Sequence, residues 1–191
     1  MMLTTNSVCD AKGLACPMPI VKTKKAMNNL EAGGVLEVQA TDKGSTADLK
    51  AWAESTGHQY LGTVEEGMVL KHYLRKASAE DQQEQIHEKI ITNEMLLKKI
   101  EAKKNTIILD VRERAEYAFN HIPTAISFPI GELEQRLEEL DKEAELFVIC
   151  RTGSRSDLAA QKLTAAGFKE VINVLPGMNQ WSGPSQESIQ K

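Results

Sequence analysis

Residues 77–88 read ASAEDQQEQIHE, a stretch whose one large aliphatic residue is Ile86 and which carries no apolar period long enough to build a core. A run of this kind is not buried, so it divides the 191-residue chain into two segments that must each assemble a core of their own. Charge marks the same place. Over 77–91 four acidic residues face one basic, whereas the flanks are nearly balanced, with 9 basic against 8 acidic over 1–76 and 13 against 15 over 92–191. No internal repeat relates the flanks, which are therefore expected to be two different domains, 1–76 and 92–191, joined by an acidic linker at 77–91.

The net charge of -4 leaves no basic excess to neutralise a phosphate backbone, so nucleic acid is not expected as a direct ligand. No run approaches the roughly 18 uninterrupted apolar residues of a membrane span, and residues 1–16 lack a basic start followed by an apolar stretch. The default is a cytoplasmic protein with no membrane contact, in which Cys9, Cys16 and Cys150 stay reduced and are available as working thiols. His58, His72 and His87 show no ligand spacing with these cysteines, and no metal site is expected.

In the first segment Leu36, Val38 and Ala40 alternate with Glu37 and Gln39, the period of a half-buried strand, after the turn signal Gly33-Gly34. Upstream, Ile20, Thr23, Met27 and Leu30 recur at helical spacing, and a helix is expected to begin at Cys16-Pro17. A second helix is predicted over Ser45 to Ser55. The runs His58 to Val64 and Met68 to Leu74, separated by Glu65-Glu66-Gly67, read as a closing hairpin. The order is β-α-β-α-β-β, a two-layer sandwich with its helices on one face of the sheet.

The second segment opens with a helix from Asn93. The continuous apolar runs Thr106 to Leu109 and Leu146 to Ile149 read as buried strands, Ser154 to Ala166 as a helix ended by Gly167, and Val171 to Asn173 as a further strand. Strands alternating with helices predict an α/β domain with a central parallel sheet, whose functional residues sit just beyond strand C-termini.

Cys150 occupies such a position, opening Cys150-Arg151-Thr152-Gly153-Ser154-Arg155-Ser156 ahead of a helix. A loop of small residues entering a helix can aim backbone N–H groups at one atom, and the helix N-terminus adds partial positive charge. With Arg151 and Arg155 nearby, this setting typically lowers a cysteine pKa from about 8.5 toward or below 7. The spacing C-x4-R separates the loop from cysteine phosphatases, which use C-x5-R; that position here is Ser156.

The loop, together with Leu109-Asp110-Val111-Arg112-Glu113, His121-Ile122-Pro123-Thr124-Ala125 and Pro176-Gly177-Met178-Asn179-Gln180-Trp181, resembles a rhodanese domain over roughly residues 92–185. The resemblance implies that Cys150 is a sulfurtransferase nucleophile carrying a persulfide. It implies further that the N–H groups of Arg151 to Arg155, Thr152, Gly153 and Ser154 included, cradle the terminal sulfur, that Arg151 and Arg155 bind an anionic donor, and that Asp110 and Arg112 buttress the loop. Asn120 stands where the family commonly has glycine and is expected to tolerate the left-handed conformation glycine would supply.

Cys16 lies in Asp10-Ala11-Lys12-Gly13-Leu14-Ala15-Cys16-Pro17-Met18-Pro19, at the start of the predicted first helix. The helix dipole, the two prolines and the positive charge of Lys22 together predict an exposed, activated thiol. Cys16-Pro17-Met18-Pro19, with Asp10, Gly13, Ala40-Thr41-Asp42 and Asp48, resembles the TusA/SirA-type sulfur carriers from about Cys9 to Arg75. The resemblance implies that Cys16 accepts and hands on sulfur as a persulfide. Cys9 is expected to be a buried, inert thiol of the first strand.

A persulfide-forming and a persulfide-carrying domain in one chain predict a relay between Cys150 and Cys16 through covalent persulfides, with no cofactor. The partners implied are a sulfur donor, either thiosulfate, a low-molecular-weight persulfide or a cysteine desulfurase-like protein, and a sulfur-acceptor protein. Two other readings of the same residues stay open here: a thiol-disulfide oxidoreductase, and a persulfide-sensing or delivery module without turnover.

Overall fold

The computed structural model describes residues 3–102 and 106–189. Its contacts divide the chain into two compact units, with the boundary between Ala79 and Glu80.

The first unit runs β1 (Ser7–Ala11), α1 (Met18–Asn29), β2 (Val35–Ala40), α2 (Ser45–Ser55), β3 (Gln59–Glu66) and β4 (Val69–Arg75). The sheet order is β1-β2-β4-β3, with β1 parallel to β2 and the other pairs antiparallel. Leu36, Val38 and Ala40 are all fully buried, as their alternation predicts. Leu36 and Val38 join Cys9 and Ala11 of β1, Met27 of α1, and Leu49 and Ala53 of α2 in one cluster, so both helices cover the same face. The predicted β-α-β-α-β-β sandwich is the observed one.

The second unit contains β5 (Ile90–Thr92), α3 (Asn93–Glu101), β6 (Ile107–Asp110), α4 (Arg114–Phe119), β7 (Ala125–Ser127), β8 (Glu145–Ile149), α5 (Ser154–Ala165) and β9 (Glu170–Leu175). All five strands are parallel, in the order β5-β9-β8-β6-β7. The sheet is covered on both faces, which is why its strands read as continuous apolar runs. Leu146 and Val148 pack with Ala159, Ala160 and Leu163 of α5, while Phe147 and Ile149 pack with Leu96 of α3. The two-residue period of a strand thereby carries Cys150 onto the α5 side, in the same cluster as Leu146 and Val148.

The acidic stretch does not lie wholly between the two units. From Glu80 onward it belongs to the second unit. The buried carboxylate of Asp157 accepts hydrogen bonds from the backbone N–H groups of Ile86 (3.1 Å) and His87 (2.9 Å), and His87 Nε2 donates to the Val171 carbonyl at 2.8 Å. A segment with no apolar core of its own is thus held by polar contacts to α5 and β9. Asn120 is a second departure: its φ of -164° is ordinary extended backbone, so no left-handed turn is needed there.

Candidate functional site

β8 lies at the centre of the parallel sheet, between β9 and β6, and Cys150 is the residue immediately past its C-terminal end. The loop turns into α5 through Gly153, whose φ of 100° is open to glycine and strained for any other residue. This turn points the Gly153 N–H back at the Cys150 sulfur, a 3.1 Å contact, and the Ser156 hydroxyl lies 3.3 Å from the same atom. The Ser156 hydroxyl is also within 2.7 Å of Asn173 Oδ1, and the Asn173 amide donates to the Gly153 carbonyl at 3.2 Å. Asn173 is fully buried on β9 and ties the loop to the sheet at two atoms.

A second clasp comes from the segment after β9. The N–H groups of Met178 and Asn179 donate to the carbonyls of Cys150 (2.8 Å) and Arg151 (2.9 Å). Gly177 makes the approach possible, since a Cβ there would stand 2.5 Å from the Cys150 carbonyl oxygen, and its own φ is 88°. The Asn93 amide fixes Gly177 by donating to its carbonyl at 2.9 Å.

Arg155 is 1% exposed and faces carboxylates rather than solvent. Its Nη1 and Nη2 donate to the two oxygens of buried Glu116 at 2.7 and 3.0 Å, and its Nε lies 3.1 Å from Asp81. Burial disfavours its charge, but Glu116, the Cys150 sulfur and Asp81 more than offset this and raise the guanidinium pKa. Asp110 and Arg112 form a neighbouring buried pair. Arg112 donates through Nε (2.9 Å) and Nη2 (2.6 Å) to Asp110, and through Nη2 to the Asn120 carbonyl at 2.6 Å. Asp110 pairs with Ile149 in the sheet, one residue before the cysteine.

In the first unit Cys16 is exposed, two residues ahead of α1, with Pro17 as the residue capping the helix and Pro19 in its first turn. The helix therefore starts at Met18 and not at Cys16-Pro17, because residues 15–18 form a separate turn closed by the Met18 N–H on the Ala15 carbonyl. The environment of the thiol is the reverse of the one expected. The neighbouring Asp48 carboxylate favours the protonated thiol and, with partial desolvation and the charge of Asp42, raises its pKa above the usual thiol value. Lys22 is drawn to β1, where its ammonium donates to the Asp10 carbonyl at 2.9 Å, and it is not among the groups that shift Cys16. Asp48 sits in the first turn of α2, where a helix N-terminus favours a carboxylate, and that preference sets it beside the cysteine.

The loop bearing Asp42 is anchored from below. Ser45 donates to the Asp42 carbonyl at 2.6 Å and lies 2.9 Å from Nε2 of the buried His72. Since the serine proton is already engaged, His72 Nε2 carries the proton and Nδ1 accepts from the Tyr60 hydroxyl at 2.8 Å. Burial lowers the His72 pKa to about 4, so the ring is neutral at physiological pH.

Residues 8–76 match the family described as Sulfurtransferase TusA, and residues 92–184 match the Rhodanese-like domain. A Bacillus subtilis protein named "Putative sulfur carrier protein YrkF" is 51% identical over 185 residues, covering 97% of this chain and 100% of that protein. The chain belongs to the family in which a TusA domain is fused to a rhodanese-like domain. The thiosulfate sulfurtransferase GlpE of Coxiella burnetii is 35% identical over 79 residues, which cover 41% of this chain and 74% of GlpE. The solution structure of a rhodanese-like domain from Anabaena sp. superimposes with a TM-score of 0.50 at 27% identity, covering 52% of this chain and 80% of that one. The TusA–rhodanese chain is accordingly a sulfurtransferase and sulfur carrier, with sulfur donors and acceptors as its partners. No helix among the described residues is long and apolar enough to cross a membrane.

The structure brings together in the rhodanese-like unit the loop residues expected from sequence, Cys150, Arg151, Thr152, Gly153, Ser154 and Arg155, but changes the duty of one. Arg155 was expected to bind an anionic donor; buried and engaged by two carboxylates, it is instead a structural cation of the loop. Arg151 is half-buried, and Thr152 is exposed with its carbonyl accepting from the Gln85 amide at 3.4 Å. Asp110 and Arg112 brace the turn next to the loop through Asn120, with their hydrogen bonds made to each other. In the TusA unit Pro17 and Pro19 shape the turn at Cys16, while Lys22 holds β1. Cys9 is buried on β1 with its pKa raised by burial, and all three cysteines are free thiols. Glu116, Asn173 and Asp81 went unassigned in the sequence. Only Glu116 had a local signal, its position three residues after Glu113, which makes it half of a helix capping box.

Proposed function

We propose that Cys150 takes sulfane sulfur from a donor as a persulfide and that Cys16 receives it for delivery to an acceptor protein. The observation that carries this reading is the Cys150 sulfur seated in a loop that aims the Gly153 N–H at it, with the Ser156 hydroxyl 3.3 Å away and donating to Asn173 Oδ1, on the N-terminal side of a twelve-residue helix. That amide and the helix N-terminus favour sulfur bearing negative charge, whether a thiolate or the terminal atom of a persulfide. In the first step the Cys150 thiolate attacks the sulfane sulfur of the donor. A new S–S bond forms, the donor S–S bond breaks, and its electron pair leaves with the departing thiolate or, from thiosulfate, with sulfite.

In the second step Cys16 attacks the terminal sulfur on Cys150 and the Cys150 thiolate leaves, restoring the first thiol. Asp48, the carboxylate with the largest influence on the Cys16 thiol, is the group to take its proton as it attacks. Exposure of Cys16 suits a thiol that must present sulfur to a protein acceptor.

The test is peptide mass spectrometry after brief exposure to thiosulfate or glutathione persulfide, comparing the wild type with Cys150→Ser and Cys16→Ser. Gain of one sulfur mass on Cys16 that disappears in Cys150→Ser supports the relay. Equal loading of Cys16 with and without Cys150 refutes it and leaves two independent acceptors on one chain.

A further inference from the structure

On one face of β4, Leu70, His72 and Leu74 follow one another at the two-residue period of a strand, and Leu74 lies in the cluster that α1 and α2 cover. An aliphatic side chain at position 72 would suit that packing. The histidine found there is fully buried, and a buried imidazole is costly unless its nitrogens are engaged. Both are: Nε2 lies 2.9 Å from the Ser45 hydroxyl, and Nδ1 lies 2.8 Å from that of Tyr60 and 3.0 Å from that of Thr63.

The path from this ring leads outward to Cys16. α2 begins at Gly44, which supplies no side-chain cap. Its first turn is held instead by Ser45, whose hydroxyl accepts from His72 Nε2 and donates to the Asp42 carbonyl at 2.6 Å. The neighbouring Thr41 hydroxyl oxygen accepts from the Gly13 N–H at 2.9 Å, which ties the same turn to the loop that leads into Cys16. Asp48 follows in the first turn of α2, where its N–H donates to the Gly44 carbonyl at 3.2 Å. The charged groups that act on the Cys16 thiol are Asp48 and, more weakly, Asp42, and both stand on backbone that Ser45 fixes.

We propose that His72 is a positioning residue for Cys16: through Ser45 it sets the turn at residues 42–45 and the first turn of α2, and so holds the Asp48 carboxylate against the thiol that receives sulfur. The proposal rests on Cys16 being that thiol. His72 neither touches the reacting atoms nor gives up a proton. Its burial keeps the ring neutral down to about pH 4, so the Nε2–H donor is in place throughout the range in which a thiol titrates.

The experiment is the pH profile for alkylation of Cys16 by iodoacetamide in the full chain, read on the Cys16 peptide by mass spectrometry so that Cys9 and Cys150 do not contribute. Thermal unfolding is followed alongside, so that every profile is taken on folded protein. His72→Leu removes the donor, and Ser45→Ala breaks the same link from the other side with a smaller change in volume. Both are expected to move the midpoint down by about 0.5 pH unit, part of the shift given by Asp48→Asn, because the carboxylate is displaced and not removed. His72→Gln can put an amide nitrogen where Nε2 stands and is expected to keep the wild-type profile. In an Asp48→Asn background, Ser45→Ala is expected to add little. An unchanged midpoint in folded Ser45→Ala overturns the proposal, even where His72→Leu fails to fold. So does a Ser45→Ala shift of full size in the Asp48→Asn background, since the effect would then bypass that carboxylate, or a His72→Gln profile like that of His72→Leu. Failure of the underlying reading shows elsewhere: wild-type Cys16 would gain no sulfur mass from thiosulfate or glutathione persulfide, whatever the alkylation midpoints.

Discussion

Replacing Glu116 by alanine isolates the most heavily buried ion pair in the rhodanese-like unit. The glutamate side chain has no exposed surface and that of Arg155 has 1%, and the change deletes the 2.7 and 3.0 Å bonds between them together with the 3.0 Å bond from the Glu113 N–H. Removing one partner of a buried pair costs about 3–5 kcal/mol, because the other charge is left desolvated. Asp81 still faces Arg155 Nε in the variant, which places the expected loss near the lower figure, about 3 kcal/mol. For a unit of this size each kcal/mol moves Tm by about 4–8 °C, so a fall of roughly 15 °C is expected. The assay is thermal unfolding followed by Trp181 fluorescence in a Trp52→Phe background, which reports on the rhodanese-like unit alone, since these are the chain's two tryptophans. The double variant Glu116→Leu/Arg155→Met, which removes both charges, is expected to recover most of the loss. A fall corresponding to under about 1 kcal/mol in Glu116→Ala would refute the reasoning, since that is the worth of a solvated surface pair.

Three further outcomes follow from the sites. Ser156→Ala removes the hydroxyl that donates to the buried Asn173 Oδ1 at 2.7 Å and is expected to cost about 1–3 kcal/mol, read as a lower Tm of the rhodanese-like unit; an unchanged Tm would refute this tie between loop and sheet. Asp48→Asn removes the carboxylate that raises the Cys16 pKa, so the pH profile for alkylation of Cys16 by iodoacetamide is expected to move to lower pH; a shift upward or none would refute the assignment. His72 has a folded pKa of about 4, below the value of about 6.5 that it has unfolded, so the unfolded chain takes up a proton first as pH falls. Its contribution is complete above about pH 6.5 and is lost on the way down to about 4. The TusA unit should thus lose about 2 kcal/mol more than a His72→Gln variant between pH 7.5 and pH 5, measured by urea unfolding.

What could be read from the amino-acid order was whatever depends on near neighbours. The alternation of Leu36, Val38 and Ala40 and the apolar run ending at Ile149 record which face or faces of a strand are buried, and all of them lie in the expected strands. The cysteine after that run was legible for the same reason, since a parallel sheet leaves its loops at strand C-termini. The charges around the cysteines were not legible, because they are supplied by residues distant in the chain. Arg155 looks like a free cation beside Cys150 until Asp81, 74 positions earlier, and Glu116, 39 positions earlier, are placed against it. Cys16 looks activated when only its own helix is considered, and the carboxylate that reverses this arrives on the next one. The seat of residues 81–87 was hidden by composition, because a polar stretch carries no mark of which of its backbone amides a distant carboxylate such as Asp157 will receive.

The ties made by residues 81–87 bear on how this chain should be cut into pieces. The region similar to other rhodanese-like domains starts at Thr92, and excision there looks like the natural way to obtain a minimal enzyme. Such a fragment would lose Ile90 and Ile91 from the strand that pairs with β9, two amide donors from a carboxylate that is 1% exposed, and one of the two carboxylates facing Arg155. It would have every residue of the Cys150 loop and a different electrostatic surrounding, so its behaviour would describe the fragment. Excision at Glu80 retains all of these groups, so the boundary of sequence similarity and the boundary of the working unit lie about a dozen residues apart.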